Sequence, residues 1–133
     1  MAIGQIKVGM LILMENDLEK AIEFYQKLGF PLVFHLKEKW AELGIGDIKL
    51  GLAPTDQQLP DRHTGIILEI DDVKKAYDEL SQKGVTFIRE PHEAVHGIMT
   101  SIKDPGGNIM DLYQPTPEKV HEVIEGLKKE GQK

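Results

Sequence analysis

Three carboxylates and one histidine are the side chains in this sequence best suited to do chemistry. Glu42, Glu69 and Asp111 each lie in an apolar stretch that reads as a β-strand, and His63 precedes Gly65 by two residues. Because alternate residues share one face of a strand, His63 and Glu69 lie on the Gly65 face if that strand extends far enough. With Asp111 they form a candidate divalent metal site, since imidazole and carboxylate oxygens are metal ligands. The alternative is that His63 is a loop residue of the segment PDRHT.

A metal-free cavity would use the same carboxylates differently. If Glu42, Glu69 and Asp111 converge, a cation about 4 Å from one of them gains roughly 4 kcal/mol at an effective dielectric of about 20. Such a cavity favours a small cationic or hydrogen-bond-donating organic ligand. The alternative is that Glu42 and Glu69 face solvent from the outer faces of their strands. The register of Asp111 is better defined, because it follows the DPGGN turn and alternates with Ile109 and Tyr113.

The scaffold for these residues is built from a sequence repeat. Residues 9–29 align without a gap with residues 64–84, and Ala21 falls on Ala76. Each copy contains an apolar strand, a helix that begins near an aspartate, and a glycine that ends the helix. A repeat of this size cannot cover its own sheet, so we expect the two copies to close around shared space.

Each half of the chain is predicted to fold as βαβββ. In the first half, residues 7–14 predict a strand buried on both faces, a helix runs from Asn16 or Asp17 to Gly29, and strands follow at about 31–37, 40–45 and 48–53. In the second half, a helix runs from Asp71 or Asp72 to Gly84, and the strands are about 64–70, 85–90, 97–103 and 108–114. The sequence therefore predicts an α+β fold in which two modules, about 7–54 and 64–115, form one domain (1–115) with a cup-shaped mixed sheet.

The chain after residue 115 predicts a final helix and tail at 116–133. Thr116 suits the N-cap and Pro117 the first helical position. One apolar stripe follows, made of Val120, Val123, Ile124 and Leu127. We expect this stripe to pack against the body of the protein or against a partner subunit. A solvated tail is predicted for the basic residues Lys128, Lys129 and Lys133.

Composition argues against several classes of function. The 133 residues carry a formal net charge of −6, which argues against nonspecific binding to nucleic acid. No apolar run approaches the ~20 residues of a transmembrane helix, and the N-terminus lacks the pattern of a secretory signal. The lack of cysteine removes thiolate nucleophiles, thiolate metal sites and disulfides. We therefore expect a cytoplasmic protein without a membrane or nucleic-acid partner.

Three features together resemble the vicinal oxygen chelate superfamily. They are the two βαβββ modules, the Phe24-Tyr25 pair followed by Leu28-Gly29-Phe30, and the DPGGN turn before an apolar strand. The superfamily includes glyoxalase I, extradiol dioxygenases, fosfomycin-resistance enzymes and bleomycin-resistance proteins. The resemblance covers residues 7–114, approximately, and implies the fold of that superfamily.

The resemblance also implies where a metal would be bound. In metal-dependent members, inward-facing residues of four strands hold a divalent ion, and these positions fall here on Met10, Gly65, Asp111 and a residue near Gly51. Of these, only Asp111 is a plausible ligand, whereas a catalytic zinc normally takes three protein ligands. The resemblance thus implies a protein without a cofactor. A divalent metal at the displaced site of His63, Glu69 and Asp111 is the alternative.

Within the superfamily, the spacing from Trp40 to Ile70 is most similar to that of the bleomycin-resistance proteins, which lack the metal ligands. Those proteins are dimers that sequester a drug in grooves at the subunit interface, lined by aromatic side chains. Their aromatic positions fall here on Phe34, Trp40, Ile67 and His96. The departures at Ile67 and His96 argue against bleomycin itself as the ligand, and they do not argue against a binding groove.

Three functions are consistent with these residues. The first is a metal-free homodimer that binds a small organic molecule, with sequestration of a drug as its most specific form. The expected binding residues are Met10, Ile12, Phe34, Trp40, Glu42, Gly65, Ile67, Glu69, His96, Met99, Asp111 and Tyr113. The second is a glyoxalase-like lyase, isomerase or dioxygenase that uses the displaced metal site, or a carboxylate as a metal-free acid–base. The third, an inactive scaffold, predicts a cavity filled by its own side chains.

Overall fold

The computed structural model describes residues 3–131, without the side chains of residues 119–120 and 129–131. The predictions for Val120, Lys129 and Lys133 therefore lie outside the described side chains. The elements follow in the order β1 Met10–Glu15, α1 Leu18–Lys27, β2 Leu32–Leu36, β3 Trp40–Ile45, β4 Ile48–Pro54, β5 Arg62–Glu69, α2 Val73–Gln82, β6 Thr86–Ala94, β7 Gly97–Lys103, β8 Asn108–Pro115 and α3 Pro117–Gly131. The fold is α+β, with two βαβββ modules followed by a C-terminal helix, as the sequence predicts. No helix in the described part of the chain is long and apolar enough to cross a membrane.

Helices α1 and α2 begin at the two aspartates that the repeat aligns. The carboxylates of Asp17 and Asp72 each accept a hydrogen bond from the backbone N–H of the third helical residue. Each cap therefore satisfies one of the N–H groups that a helix leaves free in its first turn. Both helices are followed by a glycine with positive φ, 92° at Gly29 and 89° at Gly84. Glycine adopts this conformation without steric cost, which explains why it ends the helix in both copies.

The first compact unit extends to Asp61 and includes Pro105–Asn108. Its sheet has the strand order β1-β4-β3-β2, in which β1 is parallel to β4 and the other neighbours are antiparallel. The core of this unit lies between α1 and one face of the sheet. It consists of Leu13, Leu18, Ala21, Ile22, Tyr25, Ala41, Leu43, Leu50 and Leu52.

The second compact unit comprises Arg62–Asp104 and the chain from Ile109 onward. Its sheet has the strand order β5-β8-β7-β6, with β7 antiparallel to both β8 and β6. Helix α2 packs on this sheet, where the rings of Tyr77 and Phe87 are in edge contact at a centroid distance of 4.7 Å. Two register shifts interrupt the pairing of β6 with β7.

Four details of the strand prediction are wrong. β6 extends to Ala94, whereas the sequence predicts its end at about residue 90. β1 begins at Met10 rather than at residue 7. It is not buried on both faces, because Ile12 is 56% exposed whereas Leu13 is 6% exposed. Both faces of β1 carry apolar side chains, so the alternation in burial is invisible in its sequence. His63 lies within β5 and not in a loop.

Candidate functional site

The first sheet packs one face on α1, and its opposite face carries the binding residues predicted in this half of the chain. Leu43 is fully buried on the α1 side, so alternation along β3 places Trp40 and Glu42 on the opposite side. Neighbouring strands extend this surface, because Phe34 is paired with Glu42 and Glu42 with Gly51. We call this surface the first distal face; it includes Met10, Ile12, Phe34, Leu36, Trp40, Glu42, Lys49 and Gly51.

Most side chains of the first distal face are apolar, and Glu42 and Lys49 are its charged members. Ile12 and Phe34 are 56% and 44% exposed, and Trp40 and Glu42 are half-buried. The sequence leaves the facing of Glu42 open, and the register places it on the side opposite α1. Exposed apolar side chains grouped in this way are typical of a surface that contacts a ligand or another protein.

The Trp40 ring lies across Gly51 on the neighbouring strand. A Cβ atom added to Gly51 would touch the outer edge of the indole, with Cζ2 at 2.7 Å, and would lie 3.2 Å from Met10 Sδ. Glycine at this position therefore allows the ring to approach the strand closely. An aromatic ring held against a strand offers a rigid surface for stacking at little entropic cost.

The second sheet is likewise divided into a face on α2 and an opposite face. Gln114 Oε1 accepts a hydrogen bond from the first N–H of α2 at 2.9 Å, so alternation along β8 places Asp111 and Tyr113 on the opposite face. Register adds Ser101, the partner of Asp111, and Met99, the partner of Tyr113. We call this surface the second distal face; it includes Arg89, His92, Met99, Ser101, Lys103, Asp111 and Tyr113.

Ser101 holds the carboxylate of Asp111 in place. Its Oγ donates a hydrogen bond to Asp111 Oδ1 at 2.6 Å. Ser101 is 2% exposed, and Asp111 is half-buried. A charge-assisted bond this short fixes the orientation of the carboxylate. Asp111 therefore presents an oriented negative charge that can accept hydrogen bonds from a cationic group.

Tyr113 and His96 form a polar aromatic pair beside the second distal face. His96 Nδ1 is hydrogen-bonded to the Tyr113 hydroxyl, which also lies 3.3 Å from the His96 carbonyl oxygen. The two rings meet edge to face with a centroid distance of 5.3 Å. The Tyr113 ring also lies beside Gly97, because a Cβ atom added to this glycine would be 2.8 Å from Tyr113 Cε2. Trp40 lies beside Gly51 in a similar way. An aromatic ring over a strand glycine therefore occurs in both modules.

Strand β5 carries the remaining predicted residues at an edge of the second sheet. Thr64 Oγ1 donates to the Ile109 carbonyl, and the Ile70 N–H donates to the Tyr113 carbonyl, both at 2.8 Å. These bonds join β5 and the residue after it to β8. Exposure alternates along the strand, and its exposed side consists of His63, Gly65, Ile67 and Glu69.

A model of the Glyoxalase/Bleomycin resistance protein/Dioxygenase superfamily matches residues 7–112. The chain belongs to this superfamily. It is 31% identical over 110 residues to an uncharacterized protein of Mycolicibacterium smegmatis, with 82% of this chain and 94% of the relative covered.

Solved structures of the superfamily share the fold. TnmS3, an antibiotic binding protein from Streptomyces sp. CB03234, is similar at 26% identity with a TM-score of 0.72, covering 86% of this chain and 100% of that chain. The fosfomycin resistance protein FosX from Listeria monocytogenes is similar in fold, with a TM-score of 0.71 at 17% identity. That match covers 92% of this chain and 99% of FosX.

The residues at the metal-binding positions of the superfamily do not fit a metal ion here. The resemblance to the superfamily implies that these positions are Met10, Gly65, Asp111 and the vicinity of Gly51, where the Trp40 ring takes up the space beside the strand. One carboxylate and one thioether are fewer donors than zinc or a hard cation requires.

The displaced metal site is not formed either. Among residues 3–131, as far as their side chains are described, no three His, Asp or Glu side chains come together to hold a metal. His63, Glu69 and Asp111 therefore do not build the three-ligand site that the alternative function requires.

Ser101 and Arg89 of the second distal face are not predicted as site residues from the sequence. Ser101 and Asp111 stand five residues on either side of Gly106, and the hairpin pairs them. Residues at equal distances before and after a hairpin turn face each other, so the position of the DPGGN turn could have predicted the contact between Ser101 and Asp111. Arg89 is paired with Ser101, but the two register shifts in β6 hide this pairing from the sequence.

Proposed function

We propose that this protein binds small organic molecules without using a metal ion, and that each distal face is by itself a binding surface. The observation that carries the proposal is the position of Trp40, half-buried across Gly51 on the face that also presents Glu42. A tryptophan with a purely structural role in the core would lie on the α1 side of β3, with Leu43. On the opposite side, the ring can stack on a ligand while the carboxylate accepts hydrogen bonds from it.

The second distal face offers binding chemistry of its own. Asp111 is oriented by Ser101, and Met99 is the register partner of Tyr113. A thioether beside an aromatic ring makes an adaptable apolar contact. Carboxylate, aromatic and thioether groups together suit an organic ligand that donates hydrogen bonds.

Sequestration of an antibiotic is the most specific form of the proposal. Its support is the likeness to TnmS3, an antibiotic binding protein, at 26% identity over the whole of that chain. Ile67 and His96 stand where the resemblance to bleomycin-resistance proteins expects aromatic side chains. We therefore expect the ligand to differ from bleomycin.

A second copy of the chain is part of the proposal. β2 is an edge strand, and Leu32, Val33, Phe34 and Leu36 on it are between 39% and 58% exposed. Natural proteins usually cover or charge an edge strand with so much apolar surface. A homodimer would provide that cover, and sedimentation velocity should then give twice the mass of one chain. A monomer at every concentration would remove this part of the proposal and leave ligand binding to be tested separately.

Trp40 is the only tryptophan in the sequence, so its fluorescence reports directly on the first distal face. We expect at least one antibiotic, in a panel that includes bleomycin, fosfomycin and polycyclic aromatic compounds, to change this emission and raise the melting temperature. Trp40→Ala should weaken that binding about tenfold or more by calorimetry, because aromatic anchors carry much of a binding energy.

Trp40→Phe is the matched variant, because it keeps a ring at the same position and should retain most of the affinity. Equal affinity in wild type and Trp40→Ala would show that the ligand does not use the first distal face. A panel without any stabilising compound would count against antibiotic sequestration.

A further inference from the structure

We infer that the second distal face recognises a ligand with both a cationic and an anionic group, with Asp111 binding the cation and Arg89 the anion. The inference rests on the proposed function and specifies the ligand class of the same surface. It is carried by a row of register partners on three adjacent strands: Arg89 on β6 is paired with Ser101 on β7, and Ser101 with Asp111 on β8.

The row places two opposite charges at a defined spacing. Register partners on neighbouring antiparallel strands project from the same face of a sheet. Neighbouring strands are ~4.8 Å apart, so the backbones of Arg89 and Asp111 are separated by ~10 Å across β7. Ser101, which stands between them, has a small side chain that is already bonded to Asp111. Along this row, Ser101 therefore lies between a residue that carries a carboxylate and a residue that carries a guanidinium.

The Asp111 side of this row is suited to a cation. The Ser101 hydroxyl fixes the carboxylate, so a ligand does not have to order it on binding. Asp111 is also half-buried, and a partly buried charge is screened less by solvent than a fully exposed one. An ammonium or amidinium group would donate hydrogen bonds to it.

The Arg89 side is suited to an anion. Thr100, which is fully buried, donates from Oγ1 to the Arg89 carbonyl at 2.7 Å and so anchors β6 between its two register shifts. The side chain of Arg89 is exposed. A guanidinium is permanently charged and presents a planar fork that matches a carboxylate or phosphate. The backbone is thus fixed while the charged group remains accessible.

The test uses 4-(aminomethyl)benzoate, a rigid zwitterion whose two charges stand at opposite ends of one ring, followed by amide NMR titration. Benzylamine and benzoate are the single-charge probes. We expect the zwitterion to bind about fivefold more tightly than either, and to shift the amide signals of Ser101, Asp111 and Arg89. Asp111→Asn should weaken the zwitterion and benzylamine about fivefold, and Arg89→Gln should weaken the zwitterion and benzoate about threefold.

Lys75→Gln is the matched control, because it removes one positive charge from an exposed position on α2 and should change none of the three affinities. Equal binding of the zwitterion and benzylamine, or no effect of Arg89→Gln on the zwitterion, would overturn the inference. So would tighter benzylamine binding in Arg89→Gln, since Arg89 would then merely neutralise Asp111. If the Trp40-dependent antibiotic binding persists in any of these cases, the proposed function stands and only the charge assignment is wrong.

Discussion

The indole ring of Trp40 occupies the space that a side chain at Gly51 would need. The resemblance to metal-dependent members of the superfamily implies a carboxylate ligand in this part of the first module. A carboxylate side chain and the Trp40 ring cannot occupy this space together. Glycine at position 51 therefore offers no metal donor and allows the Trp40 ring to form an aromatic surface on the first distal face.

Gly51→Ala should displace the Trp40 ring from the strand. The added methyl group would lie 2.7 Å from Cζ2, so the ring has to move toward solvent. We expect the emission maximum of Trp40 to shift to longer wavelength, and the free energy of unfolding to fall by roughly 1 kcal/mol. Gly44→Ala is the matched control, because the nearest atom to its methyl group would be Pro31 Cγ at 3.7 Å. An unchanged emission spectrum in Gly51→Ala would contradict the packing described here.

Gly97→Ala should cost more stability than Gly51→Ala, although an aromatic ring lies beside both glycines. Its methyl group would meet the main-chain carbonyl of Gln114 as well as Tyr113 Cε2 at 2.8 Å. A side-chain ring can rotate away, whereas a carbonyl in a paired strand moves only if the strand moves. We expect a loss of about 2–3 kcal/mol in urea unfolding. If the free energy of unfolding falls no more than in Gly51→Ala, the β8 backbone must move aside as easily as a side chain does.

Local signals explain why the order and type of the elements could be predicted from the sequence. Asp17 and Asp72 cap their helices, and Gly29 and Gly84 follow the helix ends with positive φ. Each of these signals acts within a few residues of the chain. The repeat doubles the information, because a signal that is ambiguous in one copy is supported by the other.

Contacts between residues distant in sequence explain what could not be predicted. The facing of Glu42 depends on the register of β3 with β4, and Trp40 reaches Gly51 through side-chain packing alone. Glu15 is fully buried, although a glutamate at the end of a strand reads as a surface residue. The Glu15 carboxylate accepts a hydrogen bond from the side-chain amide of Asn108, which is 93 residues away along the chain.

The protein should retain no divalent metal after desalting. The superfamily's metal positions offer one carboxylate and one thioether here, which is too weak a donor set for tight binding. The check is elemental mass spectrometry on protein purified without chelator, and again after incubation with nickel, zinc, manganese or ferrous iron. About one ion retained per chain would instead indicate relocated ligands and favour the enzyme hypothesis.

Asn108→Ala should destabilise the first unit. The Asn108 side-chain amide donates to the Met14 carbonyl at 3.0 Å and to Glu15 Oε2 at 2.9 Å, and Asn108 is 2% exposed. Removing a buried donor from its acceptors should lower the free energy of unfolding by about 1–3 kcal/mol. Asn16→Ala is the matched control, since the Asn16 amide also donates two hydrogen bonds, both to main-chain carbonyls, but is exposed. Equal losses in the two variants would show that burial does not strengthen the Asn108 contact.

Asn108→Asp should make the stability depend on pH in a way that the wild type does not. The substitution places a second carboxyl group beside Glu15 in a fully buried position, where two negative charges repel each other. The folded variant therefore keeps a proton that the unfolded chain releases, so its stability relative to the wild type falls as the pH rises from about 4 to about 7. Urea unfolding of both proteins across this range measures the difference, and Asn108→Ala serves as the uncharged control. A stability difference between Asn108→Asp and Asn108→Ala that stays constant with pH would mean that the new carboxyl group turns away from Glu15.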